Sequence, residues 1–275
     1  MIGKAFAPAH ITGFFYVYDH DDPLKMGSCG CGFTLEDGVM TEVRTSARTE
    51  IYLNGELTDV CTNRTVVELL TDRPVRVDST FAFPIGGGFG ASGAGAFGTA
   101  LALNKALGLK KTYNELAQDA HMAEVINRTG LGDVAGMSQG GIVIRLKPGT
   151  PFVLDRIPAN SRDIYSVYFG PISTRGILSD TKAKALINEA GRKCLKSLLK
   201  EPTFERFMAL SREFSISTGL ASDRAIRAIE SVESQGGMAS MAMLGDTVFS
   251  TIPDGLSEFG KVMKSRVSLT PAHPL

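Results

Sequence analysis

A glycine-rich segment at residues 84–95, with the sequence PIGGGFGASGAG, has the composition of a loop that binds phosphate. Glycines let phosphate oxygens approach backbone N–H groups, because no Cβ atom stands in the way. A helix predicted to begin near Ser92 would add the partial positive charge of its N-terminus. The residues expected to surround the phosphates are Gly86, Gly87, Gly88, Gly90, Ala91, Ser92 and Gly93.

Other interpretations of this segment remain open. The spacing Gly88-x-Gly90-x-x-Gly93 matches the dinucleotide-binding fingerprint, although no strand-borne acid follows at about 20 residues. A P-loop would need Gly-Lys-Ser/Thr, and no lysine occurs between Arg76 and Lys105. A connection that merely allows close helix packing is the structural alternative.

Glu124 is a candidate metal ligand. It falls on a predicted helix that begins with a Thr112-x-x-Glu115 capping box, and His121 lies three residues earlier on the same, partly apolar face. A buried carboxylate needs a partner, and Mg2+ prefers one or two carboxylates together with phosphate oxygens. An exposed ion pair with Arg128 is the alternative.

Asp133 and Arg145 are candidates for acid–base chemistry and anion binding. Asp133 ends the glycine-flanked loop 129–133, a position that suits either a functional acid or a turn cap. Arg145 lies in a predicted strand at 142–146, where it would either face solvent or bind a substrate carboxylate through two parallel hydrogen bonds. His121 would add a donor to the same anion or lie in the core.

Three weaker candidates lie nearer the start of the chain. Ser28 is expected to hydrogen-bond the substrate or to stabilise a turn, and His10 and Thr12 are expected to line the same pocket. The cluster DHDD at residues 19–22 has the composition of a metal site. No further cysteine or histidine completes it, so we interpret it as a solvated loop.

The elements that would position these residues indicate an α+β protein with a mixed sheet. The first 80 residues favour strands, with Asn54-Gly55 as a tight turn. A strand at Val75–Phe83 leads into the glycine loop, and a helix at Ser92–Leu107 ends at Gly108.

The later part of the chain favours helices over strands. The pattern predicts a strand at Val167–Phe169 and helices at about 180–200, 201–213 and 222–235. We therefore expect an N-terminal domain at residues 1–160 and a smaller α+β domain at residues 161–275.

The composition excludes several classes of function. The chain has 275 residues, of which 43% are hydrophobic and 21% charged, so we expect a packed core. Equal numbers of basic and acidic residues, 29 each, and the absence of tryptophan argue against nucleic-acid partners. The four cysteines form no CxxC pair, and with no signal-like N-terminus we expect free thiols in the cytoplasm.

An uncharged stretch between Asp78 and Lys105 is long enough to cross a membrane. It contains Pro84 and the glycine loop. Backbone N–H and C=O groups of a loop are unpaired, and they are too unfavourable in the hydrocarbon core of a membrane. We therefore expect no membrane partner and interpret the stretch as a strand, a loop and a helix.

The glycine segment resembles the phosphate-binding loop of the GHMP kinases, usually Pro-x-Gly-x-Gly-Leu-Gly-Ser-Ser-Ala. Phe89 stands at the leucine position, and Ser92 matches the second serine, whose hydroxyl faces Mg2+ in that family. Residues 8–15, PAHITGFF, stand where the family has its first motif. The third, glycine-rich motif corresponds to residues 236–240, GGMAS, which depart from the usual pattern.

Within that family the chain is similar to the pantoate kinases of archaea, most strongly between residues 5 and 146. The resemblance implies ATP and Mg2+, with Ser92 and Glu124 as metal ligands and Asp133 as the acid that meets the acceptor hydroxyl. It also implies a homodimer. The side chains implied to bind pantoate are Ser28, His121, Arg145 and His10.

Three alternatives to this function stay open. Homoserine or mevalonate would be the acceptor if the chain were another GHMP kinase. A GHMP-like module that binds a ligand without turnover belongs to a second class. A nicotinamide-dependent oxidoreductase, which rests on the glycine fingerprint alone, belongs to a third.

Overall fold

The computed structural model describes residues 1–171 and 181–275, and its central feature is a pair of long antiparallel strands. β1 (Ile2–Tyr18) and β2 (Gly27–Thr45) contain 17 and 19 residues. Their register shifts between Pro8 and His10 and again between Thr12 and Phe14. Such irregularities bend a strand and redirect its side chains, here in the part of β1 that reaches the functional site.

In the described part of the chain, six more strands complete an eight-stranded mixed sheet around this pair. These strands are β3 (Glu50–Leu53), β4 (Glu56–Leu57), β5 (Val75–Phe81), β6 (Ile142–Lys147), β7 (Val153–Ile157) and β12 (His273–Pro274). The strand order is β12-β1-β2-β5-β3-β4, while β6 pairs with another part of β2 and with β7. Among these pairs β3 and β5 are parallel.

Four helices pack in this half of the chain: α1 (Cys61–Leu70), α2 (Ala91–Leu107), α3 (Tyr113–Asn127) and α4 (Asp133–Gln139). α2 lies directly on β1 and β2 because its residues are mostly glycine and alanine. A Cβ atom at Gly3 would lie only 2.0 Å from the carbonyl oxygen of Ala102. The predicted capping box of α3 is present, with Thr112 and Glu115 bonding each other's backbone N–H.

A second sheet contains four described strands, β8 (Asp163–Gly170), β9 (Ala239–Met241), β10 (Asp246–Ser250) and β11 (Met263–Arg266). Their order in the sheet is β11-β8-β10-β9. The helices are α5 (Thr181–Leu198), α6 (Phe204–Ser217) and α7 (Asp223–Ser234). The start predicted for α5, residue 180, lies outside the described residues.

The main core includes side chains from both halves of the chain. α5 and α6 pack against β1, and the rings of Phe207 and Phe214 lie 6.3 and 6.5 Å from that of Phe14. β12 then pairs with β1 near Phe6. The domain boundary at residues 160 and 161 falls between β7 and β8, where the chain passes from one sheet to the other, and it remains a prediction.

Two helices correct the sequence-based expectations. The prediction of strands throughout the first 80 residues is wrong at α1, where burial of Thr62, Asn63, Val66 and Val67 follows helical spacing. Packing against α2 and α3 overrides the weak strand preference of its β-branched residues. The predicted loop at 129–133 ends one residue earlier, because Asp133 begins α4.

The predicted turn at Asn54-Gly55 is confirmed. Asn54 and Gly55, with φ of 49° and 86°, form the tight turn between β3 and β4. Among the described residues no helix is both long and apolar enough to cross a membrane. All four thiols are free: Cys29, Cys31 and Cys194 are buried, whereas Cys61 is exposed at the start of α1.

Candidate active site

A cavity of about 340 Å³ opens where β1, the glycine loop and the α3–α4 connection meet. This volume suits a small ligand. It joins the glycine loop to three predicted site residues, Asp133, Ser28 and Arg145. The lining consists of Thr12, Phe15, Ser28, Ile85, Gly86, Gly88, Gly90, Ala91, Ser92, residues 128–133, Arg145, Met243 and Leu244.

The glycine loop turns sharply before α2. Gly86, Gly88 and Gly90 have φ of 83°, 80° and 66°, in the left-handed region that favours glycine. Gly90 immediately precedes α2, so the first turn of this helix, with its unpaired N–H groups, borders the cavity. Gly87 and Gly93 do not line the cavity: the Gly87 N–H donates to the Pro84 carbonyl, 3.3 Å away, and Gly93 packs beside Glu124.

The turn between β9 and β10 covers the glycine loop. A Cβ atom at Gly245 would lie 2.1 Å from the backbone nitrogen of Gly88, and Met243 and Leu244 line the cavity. The glycines at residues 236 and 237, which the sequence matches to the third family motif, are therefore not the ones that cover the glycine loop. Gly237 follows the end of α7 and packs against Ile252, away from the cavity.

Glu124 is buried on α3, with 1% of its surface exposed. Its Oε1 accepts hydrogen bonds from Ser92 Oγ at 2.5 Å and Thr129 Oγ1 at 2.9 Å, while Oε2 has no partner among the described residues. Burial, and to a lesser extent the charge of Asp133, raise the pKa of Glu124 to about 7. An exposed ion pair with Arg128 is therefore excluded.

Asp133 stands at the first position of α4, with its carboxylate at the cavity. Its Oδ1 lies 2.7 Å from Nδ1 of His10. A Cβ atom at Gly90 would lie 3.1 Å from Cγ of Asp133, so this acid is packed closely against the glycine loop. An acid at this place can meet a hydroxyl group that approaches a bound phosphate.

Arg145 points from β6 into the cavity wall beside β2. It pairs with Gly30, and its side chain is 1% exposed, so the solvent-facing interpretation is wrong. Nε and Nη1 have no hydrogen-bond partner among the described residues. A Cβ atom at Gly132 would lie 2.4 Å from Ser28 Oγ and 2.7 Å from Arg145 Nε, so these two donors lie close together beside Gly132. A hydroxyl and a guanidinium that line the same cavity are suited to binding a carboxylate there.

The two histidines predicted to contact substrate do not line the cavity. Nε2 of His121 lies 2.9 Å from the carbonyl oxygen of Met26, and its ring meets the ring of Phe152 edge-on. His10 is completely buried behind Asp133. Each is covered by neighbouring protein atoms, so direct contact with a ligand in this cavity does not follow from their positions. Thr12 does line it.

Thr129 and Gly130 belong to the site although sequence reasoning assigned them no role. Thr129 bonds Glu124 and also lies within 3.1 Å of the hydroxyl of Thr62. A Cβ atom at Gly130 would stand 2.2 Å from Oε2 of Glu124. The signal for both was their place in a Gly-x-Gly connection between two candidate acids.

The oxygen donors fit Mg2+. Glu124 Oε2 is a buried carboxylate oxygen without a partner, and Ser92 Oγ lies beside the same carboxylate. The described residues contain no cluster of three or more histidines, cysteines or acids that could hold a metal alone, and this includes the DHDD loop. One carboxylate and one hydroxyl completed by phosphate oxygens is the kind of site that Mg2+ uses.

Comparisons with known proteins agree with this geometry. Residues 60–141 match the family described as GHMP kinases N terminal domain. Pantoate kinase of Methanocaldococcus jannaschii is 37% identical, over 92% of this chain and 95% of that protein. Pantoate kinase of Thermococcus kodakarensis is 39% identical, over 98% and 94%. A solved structure described as a phosphotransferase related to the CoA biosynthesis pathway has 32% identity and a TM-score of 0.90, covering 100% of this chain and 99% of the other.

Proposed function

The chain belongs to the pantoate kinases within the GHMP kinases, and on that premise we propose that it transfers the γ-phosphoryl group of ATP to the primary hydroxyl of pantoate. The products are 4-phosphopantoate and ADP, on the route to coenzyme A. The observation that carries the proposal is the buried Arg145, whose Nε and Nη1 have no hydrogen-bond partner among the described residues, in the same cavity as Asp133 and the glycine loop. A hydroxy acid offers a carboxylate that can bind Arg145 and a hydroxyl that can meet Asp133.

Each part of the chain has a distinct task in this proposal. The glycine loop and the first turn of α2 bind the triphosphate. Arg145 and Ser28 hold the carboxylate, which directs the hydroxyl toward Asp133. Asp133 orients that hydroxyl and accepts its proton as the oxygen attacks the γ-phosphorus and ADP leaves.

Ser92 and Glu124 would hold Mg2+, which neutralises phosphate charge when bound. We further propose that the chain works in the cytoplasm as a homodimer without nucleic-acid or membrane partners. Its zero formal charge supports the absence of a nucleic-acid partner, and its free thiols support a reducing compartment. Light scattering after size exclusion measures the oligomeric state.

Coupled ATP turnover with a panel of acceptors tests the function. Pantoate should give at least tenfold higher kcat/KM than homoserine or mevalonate. A preference for one of those would assign another kinase activity, and ATP binding without turnover on any acceptor would indicate a binding module. A saturable change in NADH fluorescence when the protein is added would instead favour an oxidoreductase.

Arg145 variants test the observation that carries the proposal. A bidentate, charge-assisted contact is worth roughly 1.5–3 kcal/mol. Arg145→Ala should therefore raise KM for pantoate about 10- to 100-fold and leave KM for ATP nearly unchanged. Arg145→Lys, which keeps the charge without the planar fork, should be intermediate. Equal losses with pantoate and with neutral pantoyl alcohol would remove Arg145 from carboxylate binding.

A further inference from the structure

His10 contacts Asp133 from behind, on the side away from the cavity. Its Nδ1 lies 2.7 Å from Oδ1 of Asp133, while its ring is completely buried and absent from the cavity lining. The backbone N–H of His10 donates to the carbonyl oxygen of Phe89 in the glycine loop, at 3.0 Å. One residue therefore contacts both the acid and the loop expected to bind phosphate.

The surroundings of the ring are shaped to fit it. A Cβ atom at Gly136 would lie 2.3 Å from Nε2 of His10, and one at Gly32 would lie 2.6 Å from the same nitrogen. Residues larger than glycine at either position would displace the imidazole. The two glycines belong to α4 and β2, so separate elements leave room for this one side chain.

The contacts also define which nitrogen carries the proton. A carboxylate oxygen only accepts hydrogen bonds, so at 2.7 Å the proton must lie on Nδ1. Nε2 has no partner among the described residues, which suits an unprotonated nitrogen better than a buried N–H without an acceptor. Burial lowers the pKa of His10, in agreement with a neutral ring.

We propose that His10 is a positioning residue that fixes the carboxylate of Asp133 through a neutral Nδ1–H donor. The proposal rests on the proposed kinase function. With Oδ1 held by His10, Oδ2 is the oxygen left to meet the acceptor hydroxyl. The backbone bond to Phe89 sets the same residue against the glycine loop, so the acid and the phosphate are held at a fixed separation.

Paired substitutions separate positioning from simple support of the fold. His10→Asn places an amide N–H near the position of Nδ1, whereas His10→Gln places it near Nε2. We expect His10→Gln to lower kcat about 10- to 100-fold with KM for pantoate and for ATP nearly unchanged, because small misplacements of a reacting group cost this much. His10→Asn should recover most of the rate.

A double-substitution cycle tests whether His10 acts through Asp133. In an Asp133→Asn background, His10→Gln should cause little further loss, because the group it positions is already impaired. Equal impairment of His10→Asn and His10→Gln, or additive losses in the cycle, would overturn the proposal.

An NMR measurement keeps the proposal testable apart from kinase activity. The chain has four histidines, so the 15N spectrum of histidine-labelled protein is simple, and His10 is assigned from its loss in His10→Asn. We expect a neutral ring protonated at Nδ1. A ring protonated at Nε2 would overturn the proposal even in an active kinase. An Nδ1-protonated ring in a protein without turnover would support the contact while the proposed function failed.

Discussion

At the scale of single residues, the ionised carboxylate of Glu124 is unfavourably placed without a positively charged partner. Burial and the nearby charge of Asp133 raise its pKa from 4.5 to about 7. Between these pH values the folded chain holds a proton at Glu124 that the unfolded chain has released. The free energy of unfolding should therefore fall as pH rises through this window.

Glu124→Gln should remove this pH dependence while keeping an oxygen for Ser92 and Thr129. In the absence of divalent cations, we expect the variant to match the wild type near pH 4.5 and to be more stable at pH 8. One pKa unit corresponds to 1.36 kcal/mol, so the gain should be roughly 2 kcal/mol or more. Urea unfolding at the two pH values measures it.

Ser92→Ala serves as the matched control, because it removes a donor to Glu124 and leaves the charge. At pH 8 it should be less stable than the wild type by about 1–2 kcal/mol. Both variants should require more Mg2+ for turnover, and Glu124→Gln more strongly. If the free energy of unfolding changed with pH in the same way for Glu124→Gln and the wild type, Glu124 would not be the group that causes the pH dependence.

Residue types and motif resemblance led to Glu124, Asp133 and Arg145, all of which the structure brings to one cavity or its wall. The partner of Asp133 was not predictable. His10 lies 123 residues away in sequence, and their contact depends on how α4 packs against β1. Local patterns carry no information about such a pair.

At the scale of elements, two glycines in the connection between α3 and α4 contact different parts of the site. Gly130 lies against the carboxylate of Glu124, and Gly132 lies against Ser28 and Arg145. Neither glycine has a positive φ, so neither occupies the left-handed region that favours glycine. They are needed because the side chains of other elements occupy the space of a Cβ atom.

Alanine at these two positions should therefore give different defects. Gly130→Ala would displace Glu124 and should raise the Mg2+ concentration needed for half-maximal rate at least several-fold. Gly132→Ala would displace Ser28 and Arg145 and should raise KM for the hydroxy acid, by about tenfold for a weakened charged contact. Steady-state kinetics against Mg2+ and against pantoate distinguishes the two.

Gly170→Ala is the control for these variants, because among the described residues no atom beyond its chain neighbours lies within 4 Å of the Cβ position there, and its φ is not positive. It should leave both the Mg2+ concentration for half-maximal rate and KM for pantoate unchanged. If Gly130→Ala and Gly132→Ala showed the same defect, the connection would act as one unit and the separate contacts would not matter.

At this scale α2, α3 and the β3–β4 turn were predictable, since strong local signals coincide with the tertiary structure. Gly108 and the Thr112–Glu115 capping box mark their helix ends clearly. α1 and α4 lack such signals: α1 has no side-chain cap, and α4 has seven residues with glycine on either side. Both depend on packing that only the folded chain supplies.

At the scale of the whole molecule, the α+β class follows from the sequence but the docking of its second half does not. Ile187 of α5 and Phe207 of α6 are fully buried in the same core as β1, about 190 residues earlier. Ala272 also belongs to this core and donates its N–H to Met137. Side chains of the two predicted domains therefore belong to one continuous hydrophobic core.

This shared core predicts that residues 1–160 do not fold alone. The fragment would expose the face of β1 that α5 and α6 cover, and it would lack β12. We expect no cooperative urea transition for it by circular dichroism, whereas the full chain should unfold in one main transition. Supplying residues 161–275 as a separate chain should restore the transition. Cooperative unfolding of the isolated fragment would instead support an independent domain boundary at residue 160.

The distribution of thiols gives this chain a built-in attachment point for a fluorophore. Burial raises the pKa of Cys31 and Cys194 to about 12, and Cys29 is also buried, which leaves Cys61 as the exposed thiol. The next residue, Thr62, contacts Thr129, which bonds Glu124. A maleimide dye at Cys61 would thus report binding of the proposed nucleotide and Mg2+ without any engineered cysteine.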